Sequence, residues 1–299
     1  MSLLVLSAQD VSTITAALPS AELEALMASV FRRLSSGSHY TSPQRTSITM
    51  THHTALFVPS RVEDIGTAIK VVSVPTSADD KRGLPASTIL LDEETGRVKA
   101  IVNASALTAL RTAAGRCTIV NRSTNARLEN LLSVLRQSHP LVALEGLALD
   151  DTTNVRSAVG HANVICTATS STRPLFPSEW VSPGTHLNLV GSFKPSMVEV
   201  DCDLISRAET IVVDSIEACA IEAGELIAAG LGAGDMIEIG RLVEEWDFKD
   251  GLGDIQMRKG DLTVFKSVGI GLQDVAIARY VVSKAESFGI GTTVVDFHA

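Results

Sequence analysis

Gly115-Arg116-Cys117-Thr118-Ile119-Val120-Asn121-Arg122-Ser123-Thr124, with the run NARLENLLSVLRQS that follows at 125–138, decides the architecture. Cys117 to Val120 reads as a strand and Thr124 to Ser138 as a helix, and the same grammar repeats downstream. Leu141 to Leu149 contains a strand, Thr153 to Val159 a short helix, Val164 to Ala168 and Leu187 to Val190 further strands. Thr210 to Val213 is a strand followed by a helix from about Ile216 to Gly230, and Leu262 to Phe265 is another strand. Strands alternating with helices predict an α/β fold with a parallel, doubly wound, Rossmann-like sheet.

Upstream the pattern differs. Leu3 to Leu6 is a short strand, and a helix begins at Pro19-Ser20 with apolar Leu23, Leu26, Met27, Val30, Phe31 and Leu34 at helical spacing, ending at Gly37. Thr46 to Met50, Thr54 to Val58, Ala68 to Val74, Ser87 to Leu91 and Val98 to Val102 are short strands separated by turn residues, which predicts an antiparallel or mixed sheet. Ser105 to Ala114 reads as a short helix and Leu272 to Ser287 as the last one. The chain therefore divides into a mixed α+β domain, residues 1–113 with 272–299, and a shortened nucleotide-binding domain, residues 114–271.

Composition narrows the function classes. Of 299 residues, 45% are hydrophobic and 20% charged, enough apolar material for a full core. The net charge of −9, without Lys/Arg runs, lacks the electrostatic footprint of a nucleic-acid or anionic-membrane binder. Apolar stretches are strand-sized rather than membrane-sized, and MSLLVLSAQD does not read as a signal peptide, so a cytoplasmic protein is expected. Cys117, Cys166, Cys202 and Cys219 have no CxxC spacing and are expected to be small core residues in a reducing compartment. No set of histidines or cysteines has metal-ligand spacing; His52-His53 alternates across a strand, and His186 reads as a satisfied core imidazole.

Three cations stand where charge is conspicuous. Lys70 interrupts the apolar strand Ala68 to Val72, Arg111 lies in Leu107 to Thr112, and Arg45 follows Pro43-Gln44. A buried cation needs an anion, either an internal carboxylate or a ligand, and Arg suits a bidentate carboxylate. Three turns follow strands at the end where α/β sheets bind ligands: Thr167 to Thr172, Gly191 to Pro195, and Lys266 to Gly271. Each is either a tight turn or a ligand contact.

Taken together, several segments resemble the ornithine cyclodeaminase and μ-crystallin family, whose members use NAD(P) on amino acids and cyclic imines. They are Pro43-x-Arg45, Val58-Pro59, Gly66-x-x-x-Lys70-Val71-Val72, Leu107 to Ala114, Val120-Asn121-Arg122-Ser123, Thr167 to Thr172, Pro183 to Phe193, Glu222 to Leu226 and Thr263 to Gly269, in family order. The resemblance implies a homodimer built on the N-terminal domain and an active site between the two domains. It implies that Arg45, Lys70 and Arg111, with Thr112, bind a substrate carboxylate, and that Lys70 and Arg111 are catalytic, Lys70 assisting proton transfer. Asn121, Arg122 and Ser123 would suit the 2′-phosphate of NADP(H), with NAD(H) the other candidate. Thr167, Ala168, Thr169, Ser171, Gly191, Ser192, Ser267 and Gly269 would contact the cofactor.

Two departures shape the expectation. Ornithine cyclodeaminases carry an Asp where this chain has Phe193, and a phenyl ring can neither bind an ammonium by a charged hydrogen bond nor take its proton, so the Gly-Ser-Phe form is more similar to the family's ketimine reductases. The segment that should hold the first Rossmann strand and its Gly-x-Gly-x-x-Ala turn is missing between Ala114 and Val120; the Gly-x-Gly pairs beginning at Gly230, Gly232, Gly269 and Gly289 lack the third small residue. Its neighbours must re-pair, with Cys117 to Val120 moved inward, or the sheet must be rearranged, and dinucleotide affinity should fall. The reading that emerges is an NAD(P)H-dependent reductase of cyclic ketimine carboxylates. The alternatives are a non-redox, dinucleotide-independent enzyme or binding protein for imino or amino acids, and a catalytically silent variant.

Overall fold

The computed structural model describes residues 2–16, 19–76, 84–104, 117–138, 142–208, 210–247 and 261–297. In chain order it begins β1 (Leu3–Leu6), α1 (Ala8–Ala16), α2 (Ser20–Ser36), β2 (Tyr40–Thr41), β3 (Thr46–Thr49), β4 (His53–Val62), β5 (Gly66–Pro75), β6 (Ala86–Leu91) and β7 (Val98–Asn103). It continues with β8 (Cys117–Asn121), α3 (Ala126–Ser138), β9 (Leu144–Ala148), α4 (Thr152–His161), β10 (Val164–Thr167), β11 (His186–Leu189), α5 (Cys202–Arg207) and β12 (Ile211–Val213). Then come α6 (Ile216–Glu222), α7 (Gly224–Ala228), β13 (Met236–Glu238), α8 (Ile239–Asp247), β14 (Thr263–Lys266), α9 (Gly271–Phe288) and β15 (Thr292–Val294). The chain forms two compact units, one of Met1–Arg111, Val243–Phe248 and Ile270–Ala299, the other of Thr112–Leu242 and Lys249–Gly269. The helix expected at Ser105 to Ala114 lies outside the described residues.

The first unit is a mixed sheet in the order β15-β1-β7-β6-β5-β4-β2, with β3 on β4. β4 to β7 form an antiparallel meander, whereas β1 joins β7 in parallel. Its core gathers Leu6, Val62, Ala68, Leu90, Ala100 and Val102 from the strands with Val11, Ile14 and Val30 from α1 and α2. α9 completes it: Leu272, Val275, Ala276, Val281, Val282 and Ala285 recur at helical spacing and are all buried. α2 ends where Gly37 takes φ +65° and returns its N–H to Leu34 O at 3.0 Å, a left-handed cap that glycine adopts without strain.

The second unit holds a five-stranded, all-parallel sheet in the order β10-β11-β14-β12-β13, and a separate parallel pair, β8-β9. Leu187, Leu189, Ile211, Val213 and Val264 from the larger sheet pack with Leu147, Val155, Val159, Leu204, Ile205 and Leu226. Among the described residues no strand takes the place of the missing one. Among the described residues β8 bonds only to β9 and β10 only to β11, so Cys117–Asn121 has not moved in beside Val164–Thr167. The physical reason is solvation. β10 is largely open on its outer side, with Val164 52% exposed, so its unpaired amides and carbonyls can be met by water and do not incur the cost of about 1–3 kcal/mol for each group buried without a partner.

Two further expectations are corrected. The helix expected from Ile216 to Gly230 is broken at Ala223, whose extended backbone (φ −80°, ψ 93°) separates α6 from α7, and α7 starts so close to a neighbouring loop that a side chain on Gly224 would strike Met197 O. The cysteines are not all core residues. Cys219 is buried, but Cys166 faces out from β10 and Cys202 opens the short helix α5 in solvent. No helix among the described residues is long and apolar enough to cross a membrane. Burial raises the Cys219 thiol far above its usual range and raises Cys117 as well. Thiol titration of the native protein should therefore modify Cys166 and Cys202 first, Cys117 slowly, and Cys219 only once denaturant is added; early labelling of Cys219 would contradict the packing.

Candidate functional site

In the first unit the chemistry centres on Lys70. Strand β5 sets it opposite Val58 on β4 and Thr88 on β6, between apolar neighbours Ile69 and Val71 in its own strand. Its ammonium donates to both carboxylate oxygens of Asp274 at 2.9 Å, and the two side chains are 25% and 22% exposed. Asp274 lies in the first turn of α9, where the helix dipole favours a negative charge. Of the two anions open to Lys70 from sequence, the structure thus supplies the internal one while leaving the pair partly solvent-accessible. Arg45 is half-buried just ahead of β3. Arg111 and Thr112 lie outside the described residues.

In the second unit, three buried carboxylates organise the turns at the carboxyl ends of the strands. Glu199 accepts from the Thr167 hydroxyl at 2.7 Å, from the Thr169 amide and hydroxyl at 2.6 and 2.8 Å, and from the Gly191 amide at 2.8 Å. One side chain therefore ties the turn after β10 to the turn after β11. The approach demands glycine at 191, because a Cβ there would strike Thr169 and the Glu199 carboxylate.

Asp214, directly after β12, accepts from the Ser267 hydroxyl at 2.7 Å and from the Val268 and Gly269 amides at 3.0 and 2.8 Å, and so fixes the turn after β14. Gly269 there adopts φ +81°, a backbone state most side chains resist. The third carboxylate, Glu225, pairs with Lys266 at 3.1 Å, both fully buried. Lys266 also donates to the carbonyl and hydroxyl of Ser192 at 2.7 and 2.6 Å, and that hydroxyl donates to Glu225.

The cofactor residues anticipated from sequence thus fall into groups. Thr167, Thr169 and Gly191 meet on Glu199; Ser267 and Gly269 meet on Asp214; Ser192 is buried against Lys266 and Glu225. Ala168 is exposed, and the half-buried Ser171 bonds to Arg173 O at 2.6 Å. Asn121 bonds to Ser123 O at 3.1 Å at the end of β8, beside an exposed Arg122. Phe193 is half-buried, with the Lys194 ammonium 5.5 Å from its ring centre.

Sequence reasoning missed Glu199, Asp214 and Asp274 as partners. The available signal was an acid placed next to an apolar run, as in Met197-Val198-Glu199-Val200 and Val212-Val213-Asp214.

A model of the ornithine cyclodeaminase/mu-crystallin family matches residues 2–122 and 140–289. A Delta(1)-pyrroline-2-carboxylate reductase of Bacillus thuringiensis subsp. konkukian is 38% identical over 149 residues, covering 48% of this chain and 43% of that protein. That match takes in less than half of the relative. A second protein of that name, from Bacillus cereus, is 29% identical over 297 residues, covering 85% of this chain and 89% of the relative. Among solved structures, the Thermococcus litoralis Delta(1)-pyrroline-2-carboxylate reductase in complex with NADH and L-proline superposes with a TM-score of 0.80 at 23% identity, over 97% of this chain and 100% of that one. The likeness is one of fold.

The Lys266–Glu225 pair makes a stability prediction. Lys266→Met alone strands a buried carboxylate and should cost about 3–5 kcal/mol in urea unfolding, whereas Lys266→Met combined with Glu225→Gln should recover a large part of that loss. A double variant as unstable as the single one would show that the two groups are not coupled.

Proposed function

The chain belongs to the ornithine cyclodeaminase/mu-crystallin family, and on that footing we propose that it is a nicotinamide-dependent reductase of cyclic imino-acid carboxylates, of the pyrroline- or piperideine-2-carboxylate type. The observation that carries the reading is the Lys70–Asp274 pair: a proton-bearing group in an apolar stretch of β5, held in a defined place yet partly accessible. A reduced nicotinamide, when bound, supplies the hydride that goes to the imine carbon. The imine nitrogen must gain a proton, and Nζ of Lys70 is suited to deliver it or to hold the substrate carboxylate. Asp274 fixes the direction of that ammonium and offsets its charge, which favours a protonated imine beside it.

Arg45 and Arg111 are assigned to the substrate carboxylate, together with Thr112, and Arg111 to catalysis beside Lys70. Thr169, Gly191 and Gly269 support the nicotinamide end of the site, since they stand at the carboxyl ends of three adjacent parallel strands, where doubly wound sheets bind ligands. Arg122 supports NADPH as the preferred donor, because an exposed guanidinium after β8 suits a 2′-phosphate. Phe193 can neither make a charged hydrogen bond to a substrate ammonium nor take its proton, and ornithine is not assigned as a substrate. A homodimer, with residues 1–113 and 272–299 as the substrate and dimerisation part and 114–271 as the nucleotide part, completes the proposal. A cytoplasmic location goes with it.

The test follows NADPH absorbance with Delta(1)-pyrroline-2-carboxylate as substrate, and assays ornithine for ammonia release. Turnover of the imine and none of ornithine is expected. Lys70→Met should lower kcat by about a hundredfold or more with the fold intact; a variant with unchanged kcat would remove Lys70 from the mechanism. Arg122→Ala should weaken NADPH by about tenfold or more and leave NADH unaffected, and equal losses for both donors would refute the 2′-phosphate assignment.

A further inference from the structure

The turns that close the parallel strands of the second unit have already committed their anion-binding groups. Backbone amides gathered in turns are the usual grip on a phosphate. Here the amides of Thr169, Gly191, Val268 and Gly269 donate at 2.6, 2.8, 3.0 and 2.8 Å to Glu199 and Asp214, both fully or almost fully buried. The buried ammonium of Lys266 is committed in the same way, to Glu225 and Ser192. These amides and this ammonium are therefore not available to a phosphate.

The missing motif agrees with this. Besides the pairs already considered, Gly251-Leu252-Gly253 is followed at the third position by Gln256, so nowhere in the sequence does Gly-x-Gly precede a properly spaced Gly or Ala. β8 and β10, between which the turn-bearing strand of a doubly wound sheet would run, share no ladder among the described residues. The turns after β10 and β14 present uncharged groups to solvent, Ala168, Thr169 and Gly269, while the turn after β11 exposes Lys194, whose ammonium lies 5.5 Å from the centre of the Phe193 ring. The uncharged part of this rim suits a carboxamide and ribose hydroxyls.

We propose that this chain recognises its hydride donor by the dihydronicotinamide–ribose end and gains little affinity from the diphosphate and adenosine. It rests on the reading that a nicotinamide nucleotide is the redox partner. A donor without any phosphate is then almost as good a ligand as NADH. NADPH stands apart, because Arg122 offers its 2′-phosphate a separate contact.

The experiment titrates the full chain, followed by quenching of tryptophan fluorescence, with NADH, with dihydronicotinamide riboside, and with ADP-ribose. The dissociation constants of NADH and the riboside should agree within about tenfold, and ADP-ribose should displace neither. NADH binding more than about tenfold tighter than the riboside, or displacement of NADH by ADP-ribose, overturns the inference while leaving the reductase reading standing. Absence of saturable binding by both NADH and the riboside, in protein whose melting curve is cooperative, removes the reductase reading and the inference with it. Ala168→Glu, which places a charge on the exposed turn without touching the bonds to Glu199, should weaken NADH and the riboside by the same factor; a loss confined to NADH counts against the proposal.

Discussion

A carboxylate taken out of water must be surrounded by donors, and the second unit is arranged around that requirement. Glu199 alone collects two hydroxyls and two amides from turns that belong to different strands. Asp214 does the same for the turn after β14, and the fully buried Glu225–Lys266 pair secures Ser192 between them. The order of the loops at the carboxyl edge of the sheet follows from desolvated charge rather than from apolar packing. Each loop is held by a group that would be left unsatisfied if the loop moved.

Periodicity read most of the framework because it reports which face is buried. The meander from His53 to Asn103, the capped helix α2 and the long α9 all emerge from spacing and punctuation. Elements held by a few local bonds escaped. α1 depends on a reciprocal cap between Ser7 and Asp10, with the Ser7 amide and hydroxyl donating to the carboxylate at 2.9 and 2.7 Å. β2 and β15 are too short to carry a pattern and exist through their neighbours on β4 and β1. The break at Ala223 is followed by Gly224, packed against the Met197 carbonyl from a segment remote in sequence, a neighbour that local spacing does not record.

The site divides along the same line. Lys70 was conspicuous because a cation in an apolar strand demands an explanation, but its partner Asp274 comes from a helix two hundred residues later. The glycines and hydroxyls after β10, β11 and β14 were legible as turn chemistry, whereas the acids that bind them were hidden by distance in the chain. A sequence shows an unbalanced charge readily. It shows the balancing charge only when both lie within one local motif.

The split of the parallel sheet has a dynamic side. β8 and β9 hydrogen-bond to each other, and α3 lies over them with Leu128 and Leu132 against Gly146. Among the described residues no ladder joins this β8–α3–β9 block to the five-stranded sheet, and Leu147 and Leu149 supply its apolar attachment. Among the described residues the block is thus joined to the larger sheet by apolar contact and not by interstrand bonds. Its amide protons would exchange with solvent well before those of β11 and β14, which are paired on both sides.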